Sequence, residues 1–181
     1  MPTHIGLLRA VNLPSHNKIA MPELCRVLAK VGMQDARSLL QSGNVVFRSG
    51  ITSTAKLEQM LAEGTKKHLG VDTDFFVRTA SELNAAIAAN PFPSEAKRDP
   101  GHLVLLFLKD TPAASAVTTL QGAIAGRETL KVKGPHAYIV YRDGIGNSKL
   151  SNVLIEKKLG TRGTGRNWNT VLKLSALAEA L

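Results

Sequence analysis

Two glycine-rich turns, each carrying basic residues and each leading toward a helix, are the segments of this 181-residue chain best suited to holding an anion. The stronger is the run Gly163–Thr170, read with its lead-in as Thr161-Arg-Gly-Thr-Gly-Arg-Asn-Trp-Asn-Thr170. Thr164, Asn167 and Asn169 are its candidate N-caps, Arg166 supplies charge, and Trp168 opens the last helix. The other is Asp143-Gly-Ile-Gly-Asn-Ser-Lys-Leu150, with Asn147 or Ser148 as cap and Lys149 as the cation. Free N–H groups at a helix start, glycines that admit a ligand to the backbone and a nearby cation together make an anion site. The helix dipole alone contributes only about 0.3–1 kcal/mol, so Lys149 and Arg166 would have to add charge-assisted hydrogen bonds. Neither segment has the GxxxxGK[ST] or GxGxxG spacing of a nucleotide loop. The competing reading is structural, since Gly, Asn and Ser are what turns and helix starts use.

Two further polar clusters belong to the first half. Arg9 interrupts an apolar strand, and Asn12 through Lys18 form the loop after it. Gln41-Ser42-Gly43-Asn44 occupies a hairpin turn. Established catalytic sets do not appear. The five histidines are scattered without HExxH or paired Cys/His spacing, which argues against a structural metal. There is no G-x-S-x-G elbow. Of the second half's carboxylates only Asp143 adjoins a candidate turn, so no general base stands out, no reaction is assigned, and no cofactor is indicated. Aromatics make up 4% of the chain, too few to favour base stacking, although Phe47, Phe107, Tyr138 and Tyr141 fall on predicted strands.

The elements that must position these residues follow from periodicity. His4–Leu13 reads as a strand. Met21-Pro-Glu opens a helix with Leu24, Val27, Leu28 and Val31 on one stripe, closed at Gly32. Arg37–Gln41 and Asn44–Phe47 flank the Ser42-Gly43 turn. Thr54 caps a helix that ends near Gly70, Val71–Arg78 is a strand, and Thr79-x-x-Glu82 is a capping box for a helix stopped by Asn90-Pro91. The second half repeats the order: strand His102–Leu108, a helix capped by Thr111-Pro112, and strands Thr129–Lys133 and Ala137–Arg142 about Gly134-Pro135. A helix over Ser148–Leu159, an extended piece at Gly160–Arg166 and a final helix from Trp168 to Leu181 complete it.

Each half is thus β-α-β-β-α-β with an extra helix, which predicts an α+β chain. It is read as a tandem pair of ferredoxin-like subdomains with antiparallel sheets, residues 1–93 and 94–181. They are read as tightly associated, with the glycine-rich last strand of the second half as an edge, a loop or an exchanged strand.

The hydrophobic fraction of 44% and charged fraction of 20% suit a core that needs no disulfide. The longest apolar run, Leu103–Leu108, is far shorter than the roughly 20 residues of a membrane span. The start of the chain does not read as a signal peptide, and the single Cys25 cannot form an internal disulfide; both point to a cytoplasmic setting. Net charge is +9, with 11 basic and 5 acidic residues over positions 100–181 against 12 and 9 before them. That surplus suits phosphates, acidic ligands or nucleic acid.

Leu7-Leu-Arg-Ala-Val-Asn12, Asn17-Lys-Ile-Ala-Met21, Gln41-Ser-Gly-Asn-Val-Val-Phe47, Asn90-Pro-Phe-Pro93, Ser148-Lys-Leu150 and Thr164-x-Arg-Asn-Trp-Asn-Thr170 occur in that order. Together they resemble the bacterial domain-of-unknown-function family 1697 across essentially the whole chain. The resemblance implies a tandem ferredoxin-like pair and no particular activity. The first loop departs from the family's LLRGINVGG pattern at Ala10 and Pro14-Ser15, which moves the expected site toward the C-terminal segments.

The leading expectation is therefore a site for a small phosphorylated or carboxylated ligand where the two halves meet. Arg166 and Lys149 would give charge and Asn167 and Asn169 orientation, with Lys18, Ser148, Thr164 and Trp168 as further candidate ligand-binding residues. Arg9, Asn12, Gln41, Ser42 and Asn44 would approach from the first half. Nucleic-acid binding through the basic second half is the alternative from another class. A third reading makes the C-terminal run a packing element. The oligomeric state is not legible.

Overall fold

The computed structural model describes residues 1–9, 19–40 and 43–181. The chain divides into two compact units, Met1–Ala85 with Lys173–Leu181, and Ala86–Leu172.

In the first unit the order is β1 (Thr3–Leu8), α1 (Met21–Lys30), β2 (Gln34–Leu39), β3 (Asn44–Arg48), α2 (Thr54–Leu69) and β4 (Phe75–Thr79). The strands form one antiparallel sheet in the order β2-β3-β1-β4. Alternation along the strands sends Leu8, Val45, Phe47, Phe75 and Val77 to one face. There they meet Leu24 and Leu28 of α1 and Leu57 and Leu61 of α2 in a continuous core. Full burial of each such side chain contributes about 1.5–3 kcal/mol. The β2–β3 turn requires its glycine: Gly43 has φ +74°, and a Cβ there would lie 2.5 Å from that of Leu8.

After β4, α3 (Ala80–Ala88) begins at the expected capping box. The Thr79 hydroxyl accepts from Glu82 N at 3.0 Å and the Glu82 carboxylate accepts from Thr79 N at 2.8 Å. A short helix, α4 (Pro93–Arg98), follows it. Sequence periodicity does not reveal α4, because six residues cannot display a stripe.

The second unit repeats the plan with β5 (Leu103–Leu108), α5 (Ala114–Gly122), β6 (Thr129–Lys133), β7 (His136–Val140), α6 (Asn152–Leu159) and β8 (Gly163–Asn167). Its antiparallel sheet has the matching order β6-β7-β5-β8. The core face carries Val104, Leu106, Leu108, Ala137 and Ile139 against Leu120, Ile155 and Leu159. The last helix, α7, runs Trp168–Glu179. The α+β class and the doubled ferredoxin-like order expected from periodicity are both present.

Three local expectations are corrected. The helix read as starting at Ser148 begins at Asn152, its N-cap being Ser151, whose hydroxyl accepts from Leu154 N. A separate 3-10 turn, Ile145–Asn147, precedes it, so Ser148 and Lys149 do not stand at a helix start. Thr111 does not cap α5: that role falls to Ala113, without a side-chain bond. Third, the cap of α2 is not Thr54 but Ser53, whose hydroxyl accepts from Lys56 N. The glycine-rich segment before α7, expected as an edge, a loop or an exchanged strand, is an edge strand, paired with β5 from Val104↔Asn167 to Leu108↔Gly163.

Candidate functional site

The segment that drew attention in the sequence forms β8 and the first turn of α7. Asn167 ends the strand and caps the helix, its Oδ1 accepting from Thr170 N at 3.0 Å. Asn169 is exposed, whereas Trp168, Thr164 and Arg166 are buried. The Arg166 guanidinium donates through Nη1 to the Thr164 hydroxyl and to the Gly165 carbonyl, each at 2.8 Å. Burial pushes its pKa down to about 10, which leaves it charged at neutral pH. Arg166 pairs with Leu105, and Leu105 pairs with Tyr138, so register puts the three side chains on the sheet face opposite the helices. The first unit carries an equivalent residue. Arg78 pairs with Ile5, is buried, and donates to the carbonyl of the preceding Val77 at 3.0 Å.

The two units differ next to these arginines. Val77 and Phe75 of β4 point into their core; the matching positions of β8 are Gly165 and Gly163. The helix above differs as well. α2 has 16 residues and packs along β4, while α6 has 8 and touches β8 only briefly. Eight residues correspond to roughly 12 Å of helix. Leu106 and Leu108 fill the space beside Gly163, whereas the bare Gly165 and the shorter helix border a cleft of about 260 Å³ on the helix face of the second sheet. That is room for roughly nine waters at about 30 Å³ each. Its floor is apolar, made by Val104, Leu106, Ile139 and Tyr141, and its rim is polar, made by His102, Asn152 and Asn167; Gly165 and Arg166 of β8 also line it. The Tyr141 hydroxyl donates to the Leu150 carbonyl at 3.0 Å, and burial raises its pKa to about 12, so it stays neutral. Gly165 is open to substitution by conformation, but a Cβ there would sit 3.0 Å from Val104 Cγ1, on the cleft floor.

His102 was not singled out in the sequence. The turn Asp99-Pro-Gly-His102 folds back so that the Asp99 carboxylate lies 2.7 Å from His102 Nδ1. The same turn packs against β8. Alternation then sets His102 on the same face as Val104 and its partner Asn167. The signal was an Asp and a His separated by Pro-Gly just before an apolar strand.

The remaining expected site residues lie elsewhere. The Ser148 hydroxyl donates to Glu128 Oε1 at 2.5 Å and accepts from Leu150 N at 3.0 Å, and neither it nor Lys149 lines the cleft. In the first unit, Asn44 is buried with Nδ2 donating to the Leu39 carbonyl, and Arg9 N donates to the Asp74 carbonyl. Asn12, Lys18, Gln41 and Ser42 lie outside the described residues. Among the described residues no three His, Cys, Asp or Glu side chains are grouped to hold a metal. None of the helices described is long and apolar enough to cross a membrane.

Comparison with known proteins agrees with this architecture. The chain is similar over 99% of its length, and 99% of the other's, to the structure of conserved bacterial protein SP0830 from Streptococcus pneumoniae, with a TM-score of 0.75 at 22% identity. At that identity the likeness speaks for the fold. No curated protein matches. The family model described as "Protein of unknown function (DUF1697)" matches residues 1–138, and the chain belongs to that family.

Proposed function

We propose that the cleft of the second unit binds a small organic anion, an apolar body carrying a carboxylate or phosphate. The observation that carries this reading is the replacement of Val77 by Gly165 at matching positions, which opens an apolar floor beneath a polar rim. A buried apolar floor favours a ring or short alkyl body, at about 25 cal/mol per Å² of surface removed from water. The anionic end is best received at the rim. There Asn167, Asn152 and His102 can donate hydrogen bonds, and the leading N–H groups of α7 add the positive end of its dipole. Arg166, itself a lining residue, ties Thr164 and Gly165 together so that the glycine strand keeps its shape.

The test is a thermal-shift panel of benzoate, phenyl phosphate, inorganic phosphate and short fatty acids. Ligand at a hundredfold excess over Kd contributes about 2.7 kcal/mol, which for a chain of this size raises Tm by roughly 5–10 °C. Gly165→Val should fold, at a cost of about 1–3 kcal/mol for overpacking against Val104, and should lose the ligand-induced shift. An equal shift in wild type and variant would place the ligand elsewhere.

A further inference from the structure

The Asp99–His102 pair gives the cleft a proton acceptor. We propose that the cleft hydrolyses small acyl esters, with His102 as general base and Asp99 as its positioning residue; this rests on the reading of the cleft as a small-ligand site.

The pair has the geometry such a role needs. Asp99 Oδ2 accepts a hydrogen bond from Nδ1–H at 2.7 Å, which holds the tautomer that leaves the Nε2 lone pair exposed. Among the described residues Nε2 has no hydrogen-bond partner. It faces the turn that walls the cleft: a methyl group built on Gly144 would lie 3.9 Å from it, and the next residue, Ile145, lines the cleft. His102 is itself a lining residue, and half-open to solvent, so water reaches it.

The lining set narrows the chemistry. Among the described residues it contains no Ser, Thr or Cys, so no aliphatic hydroxyl or thiol is placed to form an acyl intermediate. The Tyr141 hydroxyl is committed to the Leu150 carbonyl. Water is then the nucleophile. His102 Nε2 takes one proton from it while its oxygen bonds to the ester carbonyl carbon. The carbonyl electrons move to oxygen, where the amides of Asn152 and Asn167 can donate. Collapse of that intermediate breaks the carbon–oxygen bond to the leaving alcohol, which takes the proton from the imidazolium or leaves as its anion while the proton goes to solvent. The acid carries the water's second proton, loses it to solvent and is released as a carboxylate, the kind of anion the rim is read to hold. Water is the one co-reactant.

p-Nitrophenyl acetate and p-nitrophenyl benzoate are suitable probes for the full chain, with release of p-nitrophenolate followed at pH 7.5. His102→Gln should lower kcat/KM by about a hundredfold, the usual share of general-base catalysis. Asp99→Asn should lower kcat about tenfold with KM unchanged, and Asp99→Glu should recover most of it, which a merely structural carboxylate would not do. Gly165→Val should abolish turnover, while His68→Gln, on an exposed histidine in the last turn of α2, should leave it unchanged. Equal rates for wild type and His102→Gln, or wild-type hydrolysis no faster than buffer, would overturn the proposal. If benzoate still stabilises the wild type in that case, the chemistry falls and the binding reading stands. If benzoate fails too, both fall.

Discussion

At the scale of single residues, burial decides which polar side chains are available. Arg166 looked like a free cation beside a glycine turn; in the folded strand its guanidinium holds Thr164 and Gly165. These bonds support a structural role. Arg166→Ala should cost about 1–3 kcal/mol by leaving buried acceptors without their donor, read as a lower Tm without ligand. An unchanged Tm would refute that role. His4 is a second buried polar residue, fully enclosed and stacked on Phe47 with ring centroids 5.5 Å apart. Among the described residues neither ring nitrogen makes a hydrogen bond of good geometry. Burial lowers its pKa below the ordinary 6.5, with the Pro2 carbonyl and Glu82 carboxylate opposing in part. Below pH 6.5 the unfolded chain therefore binds a proton that the folded chain does not, and stability falls as pH drops through that value. His4→Phe should remove this contribution, so that its Tm declines less than that of wild type between about pH 7.5 and 5.5; parallel declines would contradict the assignment. None of this was legible in sequence, where a histidine at a strand start gives no sign of its enclosure.

At the scale of elements, strong local signals were legible and weak ones were not. The Thr79–Glu82 capping box was read correctly because both partners are coded within four residues. The start of α6 was misplaced because Asn147, Ser148 and Ser151 are all competent caps, and only packing chooses among them. Ser151→Ala should cost about 1 kcal/mol and lower Tm by roughly 2–4 °C. Ser148→Ala should instead disturb the contact with Glu128 and leave the helix start intact, a distinction that amide exchange at Leu154 would record. The two outer strands show a shared device: Glu58 of α2 accepts from Val77 N, and Glu156 of α6 accepts from Gly163 N, so part of each strand's outer edge is occupied.

At the scale of the whole molecule, the doubled β-α-β-β-α-β order was plain in the sequence because periodicity of 2 and 3.6 survives even where residue identity between the halves has been lost. The cleft was not plain, because it is a difference between two like units. It needs the register that aligns Gly165 with Val77, and the helix lengths that set α6 against α2. Of the Gly163–Thr170 run that the sequence singled out, Gly165, Arg166 and Asn167 line the cleft. The most direct measurement is a titration of the 15N-labelled protein with benzoate, followed by amide chemical shifts. Saturable shifts are expected at Gly101, His102, Asn152, Gly165 and Asn167, which line the cleft, and should vanish in Gly165→Val. Shifts absent from this set, or unchanged by the substitution, would contradict it.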